Sequence, residues 1–316
     1  MIYLLGSSGY IGQSFVAELT KRGIPFQGLS RRDFDYTSFP ELTKRLVREK
    51  PELVIHAAGF TGKPNVDACE NQRGETLAGN LSLTQTVAQA CATAGVRMGY
   101  VSSGCVYIGV KVKRKDGVCA VEDRLTEPLV SELLATRSCQ IEGFDEIDLP
   151  NFTFAQNNCS FYSGTKALAE EVMKPFPEFY VWRVRIPFNE FDSPRNYLSK
   201  LQNYPKVYQN WNSLSHLGDF AGACLDLWEK GAEGGIYNLT NPGYTSTTEV
   251  VEKIRRKISP GWRPVFWNND AEFYRFGAKA ARSNCILDCG KALRAGARLR
   301  PLEEAIEDAL SNWVKI

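Results

Sequence analysis

Tyr162 and Lys166 stand four residues apart at the head of a helical pattern, a spacing that places both on one helix face. A phenol with an ordinary pKa of about 10 is a sluggish acid–base group near neutrality, and a neighbouring ammonium favours its phenolate. Ser103, in Ser102-Ser103-Gly104-Cys105-Val106-Tyr107, follows the apolar run Val96 to Val101, so it falls at the end of a predicted buried strand. A hydroxyl there can hydrogen-bond a substrate carbonyl oxygen while the Tyr–Lys pair handles its proton and a nicotinamide carries the hydride. Cys105, two residues on, adds a thiol whose ordinary pKa of about 8.5 suits it to general-base work when a cation lowers it. Taken alone, the Tyr–Lys spacing also fits a core tyrosine beside a solvated lysine, and Cys105 also fits a small buried residue.

Such groups require a scaffold that holds a dinucleotide beside them. Residues 1–5 read as an apolar strand, Gly6-Ser7-Ser8-Gly9-Tyr10-Ile11-Gly12 follows, and a helical pattern runs to about Arg22. Gly6, Gly9 and Gly12 allow a tight turn and close backbone approach to a pyrophosphate, and Ser8, Tyr10 and Ile11 lie at the N-terminus of the helix. The spacing is GxxGxxG rather than GxGxxG. Phe26 to Leu29 reads as a second strand, Ser38 to Glu49 as a helix, Leu53 to Ala58 as a third strand and Thr76 to Gly95 as a helix. Tyr180 to Arg185 adds another strand. This alternation predicts an α/β fold: a Rossmann-type doubly wound parallel sheet with helices on both faces and right-handed crossovers.

The second strand ends in Ser30-Arg31-Arg32 rather than in an acid. Arg31 and Arg32 suit a 2′-phosphate and favour NADP(H), with NAD(H) the alternative; in a solvated loop they would bind neither. Asp35 either caps an adenine edge or turns the chain. We expect residues 1–182 to form the cofactor domain, interrupted by an insertion at 108–158 and recruiting about 206–232. Residues 183–316 form a smaller, interleaved C-terminal α/β substrate domain with helical patterns at Ser246 to Ile258 and Leu302 to Val314. The insertion, with Lys111, Lys113, Arg114 and Lys115 near its start, reads as irregular apart from a short helix near Glu127 to Ala135, and long irregular segments serve as lids or binding loops.

The chain of 316 residues is 43% hydrophobic and has a formal net charge of +2, which gives no electrostatic case for nucleic acid or an anionic membrane. Its nine cysteines include no CxxC and it has two histidines, His56 and His216, so neither a metal site nor a disulfide framework is expected. No apolar run is long enough to span a bilayer, and the N-terminus lacks the form of a signal peptide. The expectation is a soluble, reduced, cytoplasmic protein whose nucleotide-binding unit opens at residue 6.

At these residues the chain resembles the extended short-chain dehydrogenase/reductases over nearly its whole length: GSSGYIG, the strand ending His56-Ala57-Ala58, SSGCVY, FYSGTK and the run Arg282-Ser283-Asn284-Cys285-Ile286-Leu287-Asp288. Within them it is similar to nucleotide-sugar 4-reductases. The stretch from Phe60 to Glu70 resembles dTDP-4-dehydrorhamnose reductases and plant UDP-rhamnose 3,5-epimerase/4-reductases. Arg183 to Pro187, Ser193 to Lys200 and Tyr237 to Gly243 resemble the plant bifunctional enzymes. The resemblance implies an NDP-4-keto-6-deoxyhexose substrate reduced to a rhamnose-like sugar, with a homodimer common among relatives. It gives Tyr162 as acid, Lys166 on the nicotinamide ribose, Ser103 on the carbonyl, and Ala57, Ala58 and Gly59 at the cofactor. Thr61, Asn65 and Asn80 would line the sugar or cofactor, and Arg195 and Asn196 would contact the nucleotide or anchor their loop. His56, ending an apolar strand, reads as a core or cofactor-lining residue.

Dehydratases of this kind carry an Asp-Glu pair where this chain has Gly104 and Cys105, so dehydration is disfavoured. Relatives that epimerise C3 and C5 before reducing C4, GDP-fucose synthases included, resemble it in a cysteine two residues after the hydroxyl. Inversion needs a base on one face and an acid on the other. Cys105 fits the first role and Lys200 the second, with His216 as the alternative acid and a solvated lysine the alternative reading of Lys200. A 4-reductase without epimerisation and a non-catalytic nucleotide-binding subunit are the rival readings. The lengthened 108–158 segment leaves the sugar open.

Overall fold

Ile2 and Leu4 enter one hydrophobic core while Tyr3 and Leu5 enter another, as the two-residue period of a strand requires when both faces are covered. This first strand lies inside a six-stranded sheet. In spatial order its members are Gly235–Asn238, Tyr180–Val184, Arg97–Ser103, Leu53–His56, Ile2–Leu5 and Phe26–Leu29. Every neighbouring pair is parallel. The computed structural model describes residues 1–114, 117, 119–122, 125, 127–135 and 139–315; Lys115 lies outside them.

Helices Tyr10–Lys21 and Leu217–Glu229 cover one face, where Phe15 and Leu19 meet Leu217 and Phe220 under Trp182. Helices Phe39–Glu49, Leu83–Ala94 and Phe161–Met173 cover the other through Leu42, Leu46, Val87, Ala169 and Met173. Chain order reverses between Ile2–Leu5 and Leu53–His56, which opens a crevice at the carboxyl ends of the strands, the usual place for a ligand in such sheets. Gly235–Asn238, beyond the segment expected to be recruited, is the edge strand beside Tyr180–Val184.

The C-terminal lobe has its own core of Phe188, Leu198, Val250, Ile254, Leu302, Ile306 and Leu310. The helix expected from Thr76 to Gly95 is instead Arg73–Leu77, one wide π-turn at Ala78–Ser82, and Leu83–Ala94. The insertion corrects the expectation of an irregular segment. Val110–Arg114 is the middle of a three-stranded antiparallel sheet between Cys119–Glu122 and Cys139–Ile141. Its strands are three to five residues long, and the four-residue alternation Val110-Lys111-Val112-Lys113 is the short strand signal that the sequence carried there. Val110, Val112, Leu125 and Val130 pack on Trp211 and Ile286 of the C-terminal part.

Candidate active site

The glycine turn is built so that side chains cannot enter it. Gly6 has φ +83°, and a Cβ there would fall 2.7 Å from the backbone nitrogen of Ala58, while one on Gly12 would fall 2.0 Å from the Gly6 carbonyl oxygen. Gly9 precedes helix Tyr10–Lys21 without a side-chain cap, so the N–H groups of the first turn face the crevice free of the helix's own acceptors. Ser8 is exposed beside it. These features fit a pyrophosphate held against Gly6, Gly9, Tyr10, Ile11 and Gly12, with Ala57, Ala58 and Gly59 as the opposing wall. Arg31 and Arg32 are both exposed at the end of the second strand. The Asp35 carboxylate accepts from the Thr37 N–H at 3.0 Å and from its hydroxyl at 2.5 Å, so it turns the chain. Tyr10 packs against the core, its hydroxyl donating to Asn189 Oδ1 at 3.0 Å.

Across the crevice, Arg97–Ser103 delivers Ser103 into a 3-10 turn, Gly104–Val106, where its Oγ accepts from the Cys105 N–H at 3.2 Å. Ser103 and Cys105 are 9% and 7% exposed. Helix Phe161–Met173 begins at Ser160, whose Oγ accepts from the Ser163 N–H at 3.1 Å, and the Phe161 N–H donates to Glu70 at 2.8 Å. A Cβ on Gly164 would lie 2.3 Å from the Phe154 ring, so this glycine lets the insertion's end close on the helix. Tyr162 then meets the serine turn, its phenol close to Ser103 and Cys105. Burial, followed by the nearby Cys105, Tyr100 and Cys69, pushes its pKa well above the ordinary value, and Ser103 opposes them only in part.

That direction corrects the expectation that Lys166 draws the phenol toward neutrality. The Lys166 ammonium donates instead to the Tyr100 hydroxyl and the Val101 carbonyl, both at 3.0 Å, and rests 4.7 Å from the Tyr100 ring centre. Tyr162 is therefore a protonated donor aimed at the serine turn. Lys166 borders Gly59, where an added Cβ would be 4.0 Å from its Nζ. His56 is a core residue: fully buried, stacked on Tyr100 and 3.3 Å from the Thr84 hydroxyl. Burial and the Lys166 charge bring its pKa down to about 3.

Lys200, on helix Tyr197–Asn203, is half-buried. Burial, then Arg195 and Arg282, lower its pKa to about 8. Arg195 donates to the Thr61 hydroxyl at 2.7 Å and the Gly62 carbonyl at 2.9 Å, and Arg282 grips Asp67 at 2.8 and 3.0 Å. Thus the loop after the third strand is joined to the C-terminal lobe through two cations, Arg195 and Arg282, and one acid, Asp67, with Lys200 within the field of both arginines. Asp67 and Arg282 both stand in stretches that carry the resemblance, yet nothing local in the sequence connects them, and only the fold reveals their pairing.

The remaining expected residues are committed to architecture. Asn196 is fully buried and caps its helix, its amide donating to the carbonyls of Asn189 and Phe191 at 2.8 Å each, so its side chain anchors the loop rather than facing a nucleotide. Asn65 accepts from the Asp67 N–H at 2.9 Å. Asn80, in the π-turn, clamps the Phe60 backbone at 2.8 and 2.9 Å and reaches Thr165 of helix Phe161–Met173 at 3.2 Å. His216 caps helix Leu217–Glu229 with its ring between Asp219 and Glu190, 3.3 and 3.5 Å away. Burial lowers its pKa, but those two acids outweigh it and the net direction is upward.

The family model described as the RmlD substrate binding domain matches residues 1–136. A bifunctional dTDP-4-dehydrorhamnose 3,5-epimerase/dTDP-4-dehydrorhamnose reductase of Arabidopsis thaliana is 32% identical over 306 residues, covering 96% of this chain and 90% of that protein. A trifunctional UDP-glucose 4,6-dehydratase/3,5-epimerase/UDP-4-keto-L-rhamnose-reductase of the same plant is 31% identical over 305 residues, and there the chain spans 40% of the relative's length. Among solved structures, a UDP-rhamnose synthase from Acanthamoeba polyphaga mimivirus superposes with a TM-score of 0.81 at 22% identity, covering 99% of both chains. A dTDP-4-dehydrorhamnose reductase from Bacillus anthracis in complex with NADP does so with 0.74 at 18% identity, covering 99% of this chain and 97% of that one. At those identities the likeness is one of fold.

Proposed function

Because the chain belongs to the dTDP-4-dehydrorhamnose reductase family, we propose that it is a nucleotide-sugar oxidoreductase that inverts C3 and C5 of an NDP-4-keto-6-deoxyhexose and then reduces C4, giving a rhamnose-like NDP-6-deoxyhexose. The observation that carries this reading is the placement of Cys105 on the same turn as Ser103, beside the Tyr162 phenol. The cofactor is NADPH, held in the glycine crevice with Arg31 and Arg32 toward a 2′-phosphate and Lys166 toward the nicotinamide ribose; bound there, it supplies the hydride for C4. NAD(H) remains the alternative that a cofactor titration separates.

The chain's own residues do the rest. Ser103 and Tyr162 hydrogen-bond the C4 oxygen and stabilise the enolate that forms when a C–H beside the carbonyl is broken. Cys105, as thiolate, takes that proton; the Lys200 ammonium delivers one to the opposite face, the stereocentre is inverted with charge balanced, and proton exchange with water returns Cys105 to thiolate and Lys200 to ammonium before the second inversion. After both inversions Tyr162 gives its proton to the C4 oxygen. The intact set of Ser103, Tyr162 and Lys166 favours an enzyme over a binding subunit. The eight cysteines whose side chains are described are free, and no helix among the described residues is long and apolar enough to cross a membrane.

The test is incubation with NADPH and UDP- or dTDP-4-keto-6-deoxyhexoses in D₂O, read by NMR. We expect deuterium at C3 and C5 of a product reduced at C4. Reduction without exchange would remove Cys105 and Lys200 from the chemistry, and absence of turnover would leave a nucleotide-binding subunit. Cys105→Ser should abolish exchange yet leave reduction of a pre-epimerised 4-ketosugar largely intact; equal loss of both would sink the division of labour.

A further inference from the structure

Two arginines, two residues apart, leave the carboxyl end of one strand and meet different fates. Arg183 is 1% exposed, and its guanidinium is neutralised by Glu170 at 2.6 and 3.0 Å. Arg185 is 5% exposed, and no carboxylate pairs with it among the described residues. Its Nη2 donates to Asn212 Oδ1 and to the Ser283 carbonyl, both neutral, and its Nε is buried with no acceptor. A buried charge without a counter-charge is costly, and an orphaned donor in a native interior calls for a ligand or a role.

The guanidinium's stem runs under the serine turn: a Cβ added to Gly104 would lie 3.4 Å from Arg185 Cδ and 3.6 Å from its Cβ. Cys285 shares that floor, its Sγ donating to the Gly104 carbonyl at 3.4 Å. Burial pushes the Cys285 thiol up and the Arg185 charge opposes it. We propose that Arg185 is a positioning residue for Cys105, its uncompensated charge stabilising the thiolate that forms on the adjoining residue of the turn. The inference rests on the reading of Cys105 as the base of the epimerisation.

The test uses the whole reduced protein and iodoacetamide at neutral pH, with alkylation of each cysteine followed by peptide mass. Arg185→Gln should slow labelling of Cys105 by about tenfold or more, since one pKa unit changes the thiolate fraction about tenfold. Arg185→Lys, which keeps the charge, should stay near the wild-type rate. Exposed Cys119 and half-buried Cys159 serve as references. Equal Cys105 rates in wild type and Arg185→Gln overturn the proposal, as does Arg185→Lys falling as far as Arg185→Gln. Labelling of fully buried Cys91 or Cys224 marks an unfolded variant; the decision then passes to Arg185→Lys alone, where retention supports the proposal and loss overturns it. Deuterium exchange judges the role of Cys105, while the labelling rate judges Arg185, so each reading can fail without the other.

Discussion

An ordinary lysine holds its proton too tightly to be an effective acid near neutrality. At Lys200, burial and the charges of Arg195 and Arg282 bring the pKa to about 8, which places the acid form and the base form within reach of physiological pH. Removing a neighbouring positive charge favours the ammonium, so the pKa then rises. We therefore expect exchange at C3 and C5 to fall as pH rises through about 8, and Arg195→Gln to move that alkaline limb to higher pH. Lys200→Met should lower exchange by at least about a hundredfold, within the range for a positioned acid, while reduction of a pre-epimerised substrate persists; both are read by NMR across a pH series. If the limb stays in place in Arg195→Gln, Lys200 is not the titrating group. The histidine runner-up stands otherwise: Asp219 and Glu190 hold the His216 ring at the head of its helix, where a capping role accounts for it.

Between residue and molecule, one short irregularity organises the site. A regular helix from Arg73 would carry Asn80 past the loop after the third strand; the π-turn at Ala78–Ser82 brings its amide against Phe60 instead, and such turns recur at functional positions. The same side chain touches Thr165, one residue before Lys166. Replacing Asn80 with Ala leaves the buried amide's partners unsatisfied, which costs about 1–3 kcal/mol. We expect a matching loss in chemical denaturation and a weaker NADPH complex by fluorescence titration, because the Ala57–Gly59 wall and Lys166 lose their common clamp. Denaturation and affinity both unchanged would show the loop to be held elsewhere. The insertion is an element of the same kind. Its middle strand starts at Val110, and Phe144 lies along the C-terminal run, donating to Ile286 at 2.9 Å and accepting from Asp288 at 2.8 Å.

At the scale of the molecule, one buried network ties the sheet, helix Phe161–Met173 and the insertion together. Glu170 accepts from Ser102, the neighbour of Ser103, and from Arg183; Arg183 donates to the Tyr107 hydroxyl at 3.1 Å, and Tyr107 donates to the Asp148 carbonyl at 2.7 Å. Breaking one side of such a pair strands the other charge, so Glu170→Gln should destabilise by about 3–5 kcal/mol in urea, most of it recovered by adding Arg183→Met. A loss under about 1 kcal/mol, the range of a surface pair, would contradict the burial described. By itself the sequence determined the alternation of strands and helices, the glycine turn, and the Tyr162–Lys166 spacing, because each follows from a backbone period or a steric need confined to a few consecutive residues. Cys105 was legible for the same reason, two residues from Ser103 on one turn. Only the tertiary structure decided the charges. Asp67 meets Arg282 across 215 residues and Arg195 meets Thr61 across 134, Lys166 turns to Tyr100 rather than to the phenol, and Arg185 is left without an anion among the described residues. A proton's affinity is set by every group that the fold brings near it and by the water it removes, and neither has a period that the chain displays.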